Sequence, residues 1–250
     1  MPFGAATFVL GASLTIVYFV LSNGAPYPPA STITAGALGA QTLPFGAITY
    51  LFDHGGLSHL LENLVGLAAF CLVVEASLSY KDALAIFFLS GVAGGLAFLA
   101  VSPQMKIIGA SAGIVGLAVA GILADPKRGL LALAFVALMA NWAAPAVADW
   151  AASENYKSLE QQKQLAQQKA QELLVQQRPA EAQEQLKVAQ DKQRAMDEQE
   201  KAKKSEAGAG AADAAHAAGA ATGALYVLAF RRDAIVAWMK KAKRILADGT

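Results

Sequence analysis

Residues 107–124 read IIGASAGIVGLAVAGILA, eighteen positions without one charged side chain. A helix crossing the ~30 Å hydrocarbon core of a bilayer needs roughly 20 apolar residues. Stretches of the same character occupy 5–21, 59–78, 83–101 and 130–150, and a sixth follows at 208–230. Residues 1–150 hold only four Lys/Arg and six Asp/Glu, whereas soluble domains are ~25% charged. The pattern predicts an all-α, polytopic membrane protein with six spans. The first span has no basic residue before it, so it is read as a retained helix and not as a cleaved leader.

The charge is concentrated elsewhere. Residues 151–207 carry ten residues of each sign, and six basic residues follow Phe230. The chain divides accordingly into spans 1–5 (1–150), a polar insertion (151–207), the last span (208–230) and a basic tail (231–250). The insertion is rich in Gln, Ala, Lys and Glu, which favour helix. Leu159, Ala166 and Leu173 recur at heptad spacing, and beyond Leu186 the apolar seam is read as Val188 and Met196. With Pro179 opening a second helix, two helices at about 153–177 and 180–204 form a hairpin; the alternative is a charged disordered linker. Short loops with Lys81, Lys127 and Arg128, together with the tail, are expected in the cytoplasm with both termini. The insertion then lies outside a cell membrane. In the tail, Ile235, Trp238, Met239, Ala242 and Leu246 share a helical face beside Lys240, Lys241, Lys243 and Arg244, the pattern of a helix lying on a membrane surface.

Composition excludes several classes of protein. Cys71 is the only cysteine, so a disulfide scaffold is excluded. A net charge of +1 leaves no basic excess for a nucleic-acid partner. All three histidines sit in or beside apolar spans, where ionisable groups mark functional sites. His59 and Asn63 are four apart and share a helical face. Ser111 stands among Gly109, Gly113 and Gly116, and His216 shares a face with Gly219 and Gly223. These small-residue faces allow close helix approach, which brings the His216 imidazole beside the Ser111 hydroxyl. A neutral imidazole that takes the serine proton activates a weak nucleophile.

The serine motif alone is weak evidence in a chain with 22 glycines. A metal centre is not expected, because there is no HExxH and the two histidines of the second span are five apart. Asp213 stands three residues before His216 and is read as an interfacial first-turn residue, outside the catalytic set.

The order His54…His59…Asn63…Glu75, then Gly109-Ala-Ser111, then His216-xx-Gly219-xxx-Gly223 resembles the rhomboid family of intramembrane serine proteases. The resemblance covers 1–150 and 208–230 and implies a six-helix core with a Ser111–His216 dyad. It also implies oxyanion stabilisation by His59, Asn63 and the Ser111 N–H, and supporting roles for His54, Glu75, Gly109, Gly113, Gly219 and Gly223. The pattern departs from the family at Ala112, where glycine is usual, at Val115, where an aromatic residue is usual, and in a first outer loop lacking the Trp-Arg pair. No glycine closely follows Glu75. The implied activity is hydrolysis of peptide bonds in or near transmembrane segments of other membrane proteins, without metal or cofactor, with the lipid bilayer as the remaining partner. Two alternatives keep the same residues: a rhomboid-like protein that binds clients without cleaving them, and a transporter using the polar residues as a pathway.

Overall fold

In a computed structural model the described residues, 4–28, 36–207 and 213–248, form an almost wholly helical protein. Helix α1 spans Ala5–Ser22, α2 Leu57–Ser77, α3 Tyr80–Val101 and α4 Ser111–Ala124. Helix α5 runs Pro126–Val175, α6 Pro179–Ala207, α7 Asp213–Phe230 and α8 Arg232–Asp248. Among the described residues, four helices are long and apolar enough to cross a membrane, α1, α2, α3 and α5, and α4 is a shorter apolar helix. The chain is therefore a multi-pass membrane protein. Backbone polar groups cannot be left unpaired in hydrocarbon, and a helix pairs them within itself.

The helix starts are written locally. Ser79 caps α3, its hydroxyl accepting from the Asp82 amide. The Asp125 carboxylate accepts from the Arg128 amide with Pro126 at the first position of α5, where a missing N–H costs nothing. The span predicted at 107–124 begins later, at Ser111. Residues 107–110 stay outside the helix, and Leu38 and Ile107 exchange backbone hydrogen bonds of 2.9 and 3.0 Å. This isolated bridge ties the first loop to the approach to α4.

Helix α4 is the hub, packed by α2, α3, α5 and α7, while α1 lies on α2 and α3. Its buried residues are Ala, Gly, Ile and Leu. Lipid tails are as apolar as leucine, so close contact between small residues holds the helices together more than water exclusion does.

Helix α5 does not stop at the predicted span end. It continues for 50 residues, about 75 Å at 1.5 Å per residue, through one π-helical turn at Met139–Ala143. It turns at Gln176–Arg178, and α6 returns along it. The seam of this arm keeps Ala166, Leu173 and Met196 of the expected one and departs from it elsewhere. Ala152, Ala166, Ala170 and Leu173 of α5 are buried, as are Ala182, Ala189 and Met196 of α6, whereas Leu186 and Val188 are exposed. Polar links join the same face: Asn155 Nδ2 donates to Gln199 Oε1 at 2.7 Å, and Lys163 Nζ to Gln193 Oε1 at 3.2 Å. Because α5 leaves from the C-terminal end of α4 and α7 enters beside the N-terminal end, the arm rises from the side of the bundle that holds Ser111.

Candidate active site

Ser111 is the first residue of α4, and the turn before it is built for it. Gly109 has φ of 110°, a conformation natural only to glycine. A β-carbon there would lie 2.7 Å from His59 Nε2. The Gly109 N–H donates to the Tyr50 carbonyl at 2.8 Å, and the Tyr50 hydroxyl donates to the Gly91 carbonyl at 2.5 Å. Tyr50, fully buried, thus anchors the turn to α3. Reading the sequence missed Tyr50, because a lone tyrosine in the short helical turn Tyr50–Phe52 carries no spacing signal.

Helix α7 approaches from the other side. A β-carbon at Gly219 would collide with the Ala112 carbonyl oxygen, and one at Gly223 with that of Gly116. At Gly113 it would lie 2.7 Å from the Phe87 carbonyl oxygen. The methyl of Ala112 is accommodated opposite Gly94 on α3, where a β-carbon would lie only 2.6 Å from it. Helices packed this closely carry His216 to Ser111. The distance from His216 Nε2 to Ser111 Oγ is 2.8 Å, within the range of a hydroxyl donating to a neutral imidazole nitrogen. Both residues are half-buried. Val115 is half-buried as well, one helical turn beyond Ser111 on α4.

The second-span residues gather at the same end. His59 stands against Gly109. The rings of His54 and His59 meet edge-on with centroids 5.0 Å apart. His54 is buried, its Nδ1 3.2 Å from the Phe52 carbonyl oxygen. Asn63 is buried and donates one amide hydrogen to the His59 carbonyl at 2.7 Å. The side chain retains a second N–H. Asp213 is exposed in the first turn of α7.

Glu75 lies elsewhere, well down α2. Its Oε1 accepts from the Thr7 amide and the Thr7 hydroxyl, both at 2.8 Å, and lies 3.6 Å from Cys71 Sγ. It is 9% exposed, and the carboxylate joins α1 to α2. Among the described residues no three His, Cys, Asp or Glu side chains converge as a metal site.

A second polar cluster, at the opposite end of the bundle, also went unread. Asp82 on α3 is buried, and Tyr226 and Arg231 both donate to it. A carboxylate opening an apolar stretch was the available signal. Its partners lie 144 and 149 residues away in sequence.

No curated protein matches the chain. Residues 41–152 match the family model of the Rhomboid domain, a span that includes His54, His59, Asn63, Glu75 and Ser111 and ends before His216. Over residues 41–152 the chain belongs to the rhomboid family.

Proposed function

We propose that the protein is an intramembrane serine endopeptidase that hydrolyses peptide bonds in or near transmembrane segments of other membrane proteins. The observation that carries this reading is the 2.8 Å contact between Ser111 Oγ and His216 Nε2. It pairs a serine hydroxyl with a base inside a membrane bundle, as activation of a weak nucleophile requires. The serine oxygen attacks the scissile carbonyl carbon while His216 Nε2 takes its proton and returns it to the leaving amine. Water then hydrolyses the acyl ester by the same base. Asn63, through its remaining amide N–H, and His59, with the Ser111 N–H, are the oxyanion donors in this reading, since a developing negative charge requires such donors.

Hydrocarbon excludes water, the second reactant, and the length of α4 offers a remedy. Its 14 residues rise about 21 Å, less than the ~30 Å hydrocarbon thickness. With the C-terminal end of α4 at one interface, Ser111 lies below the other, and in this reading water reaches it past the half-buried Ser111 and His216 side chains. The same reading makes α4 and α7 two of six spans, with the arm at 151–207 as an insertion outside. Both termini are cytoplasmic, as the positions of Lys81, Lys127, Arg128 and the basic tail favour. Substrates that unwind readily, with Gly, Ala or Pro near the outer face, suit such a site.

The test is covalent labelling by a fluorophosphonate probe in detergent. The native chain is expected to label and Ser111→Ala to remain blank. Equal labelling of both removes Ser111 as the nucleophile.

A further inference from the structure

The buried face of α7 is made of Ala215, Gly219, Gly223 and, near its end, Val227. Gly219 and Gly223 face carbonyls of α4, and Gly94 of α3 faces the Ala215 carbonyl. Contacts between small residues hold helices close but present no bulky side chain to resist sliding along the axis. A hydrogen bond between Ser111 and His216 tolerates only tenths of an ångström. The axial position of α7 therefore needs a directional anchor.

The only charged side chain of α3 buried inside the bundle is at the far end. Asp82 is 1% exposed. Its Oδ1 accepts from the Tyr226 hydroxyl at 2.8 Å and from Arg231 Nε at 2.9 Å. Its Oδ2 accepts from the Ser79 hydroxyl at 2.5 Å, and its own N–H donates to Ser79 Oγ at 3.2 Å. The carboxylate is thus fixed to the cap of α3 and grips the end of α7 by two donors. Tyr226 lies about 15 Å and Arg231 about 22 Å beyond His216 along a helix rising 1.5 Å per residue. A buried carboxylate that loses its partners is strongly destabilised, so sliding α7 by a fraction of a turn is resisted here and not at the glycine contacts.

We propose that Asp82, with Tyr226 and Arg231, is a positioning site that sets the axial register of α7 and so holds His216 on Ser111. Its consequence for catalysis rests on the hydrolase reading; the register itself does not. The three side chains touch no reacting atom and act through the helix, at the end of the bundle opposite the reactive pair.

The test reads His216 directly. ¹⁵N-histidine NMR spectra in detergent are compared for the native chain, Ser111→Ala, Tyr226→Phe, Arg231→Ala and Arg231→Lys. Tyr226→Phe and Arg231→Ala are expected to move the His216 Nε2 signal towards its position in Ser111→Ala. His54 and His59, which belong to α2 and its approach, stay in place and report an intact fold. Arg231→Lys keeps the charge and retains most of the native signal. On a transmembrane substrate the two disruptive variants lower kcat by roughly tenfold to 10²-fold with KM unchanged, the scale for an ångström of misplacement. An unmoved His216 signal in both overturns the inference. If Arg231→Ala does not fold, Tyr226→Phe decides alone, since it removes one hydroxyl. A native chain that hydrolyses nothing, yet shows these His216 shifts, would instead overturn the hydrolase reading and leave the positioning site standing.

Discussion

Gly219 of α7 lies flush on the main-chain carbonyl of Ala112 in α4, with no room for a β-carbon between them. One turn earlier on α7 is His216, and one residue before Ala112 is Ser111, so this contact governs how the reactive pair meets. Gly219→Ala is expected to push the helices apart and lower proteolysis by about 10²-fold, as a misplacement near 1 Å does. Cleavage of a model transmembrane substrate, alongside helicity by circular dichroism, checks it. Native activity would mean that α7 has slack the packing does not show.

The reactive pair should behave as a unit. Ser111→Ala, His216→Ala and the double variant are expected to lose nearly the same activity, since either loss removes the activated nucleophile. Asn63→Ala is milder than either, costing roughly 10²–10³ in rate because other oxyanion donors remain. Single-turnover kinetics on one substrate compares all four.

Glu75 receives two donors from Thr7 and joins the first helix to the second. Glu75→Ala leaves the half-buried Thr7 hydroxyl without its acceptor, a loss of about 1 kcal/mol. A lower melting temperature in detergent is expected, with activity retained well below it. An unchanged melting temperature would show that α1 is held by packing alone.

Replacing 153–204 by a short Gly/Ser linker is expected to leave the bundle folded and active on a minimal substrate. The buried seam of the arm is internal to it, with Ala170, Leu173 and Ala182 forming their own cluster. A folded product without activity would give the arm a part in shaping the site.

Helix α8 follows Arg231 directly. Val236, Trp238 and Met239 are exposed and Ile235 packs on the core; Leu246 lies outside the described side chains. Seated in an anionic leaflet, with each basic residue worth ~1 kcal/mol, Trp238 should show blue-shifted emission protected from aqueous quenchers. The measurement uses anionic vesicles, with Trp142 and Trp150 replaced by Phe. Quenching as complete as in water would leave the tail only a topological role.

The class of molecule and the candidate residues are legible in local patterns of the chain. Hydrocarbon forces each span to be long, apolar and helical, so four such helices are legible one stretch at a time. Ionisable groups are costly there, so His59, Asn63, Ser111 and His216 stand out from an almost featureless background. Glycines four apart mark the face on which a helix approaches closely, which is why the meeting of Ser111 with His216 was foreseeable. Other features belong to pairs and not to stretches. The backbone bridge between Leu38 and Ile107 keeps residues 107–110 out of α4, and no property of those residues signals it. Alanine looks neutral in a polar helix, so Ala182 and Ala189 join Met196 in the seam only when α5 lies against them. Asp82 looks like an ordinary first-turn carboxylate until α7 brings Tyr226 and Arg231 to it across more than 140 residues of chain. Local pattern reports the solvent each residue must meet; partnership across the bundle depends on how distant helices pack.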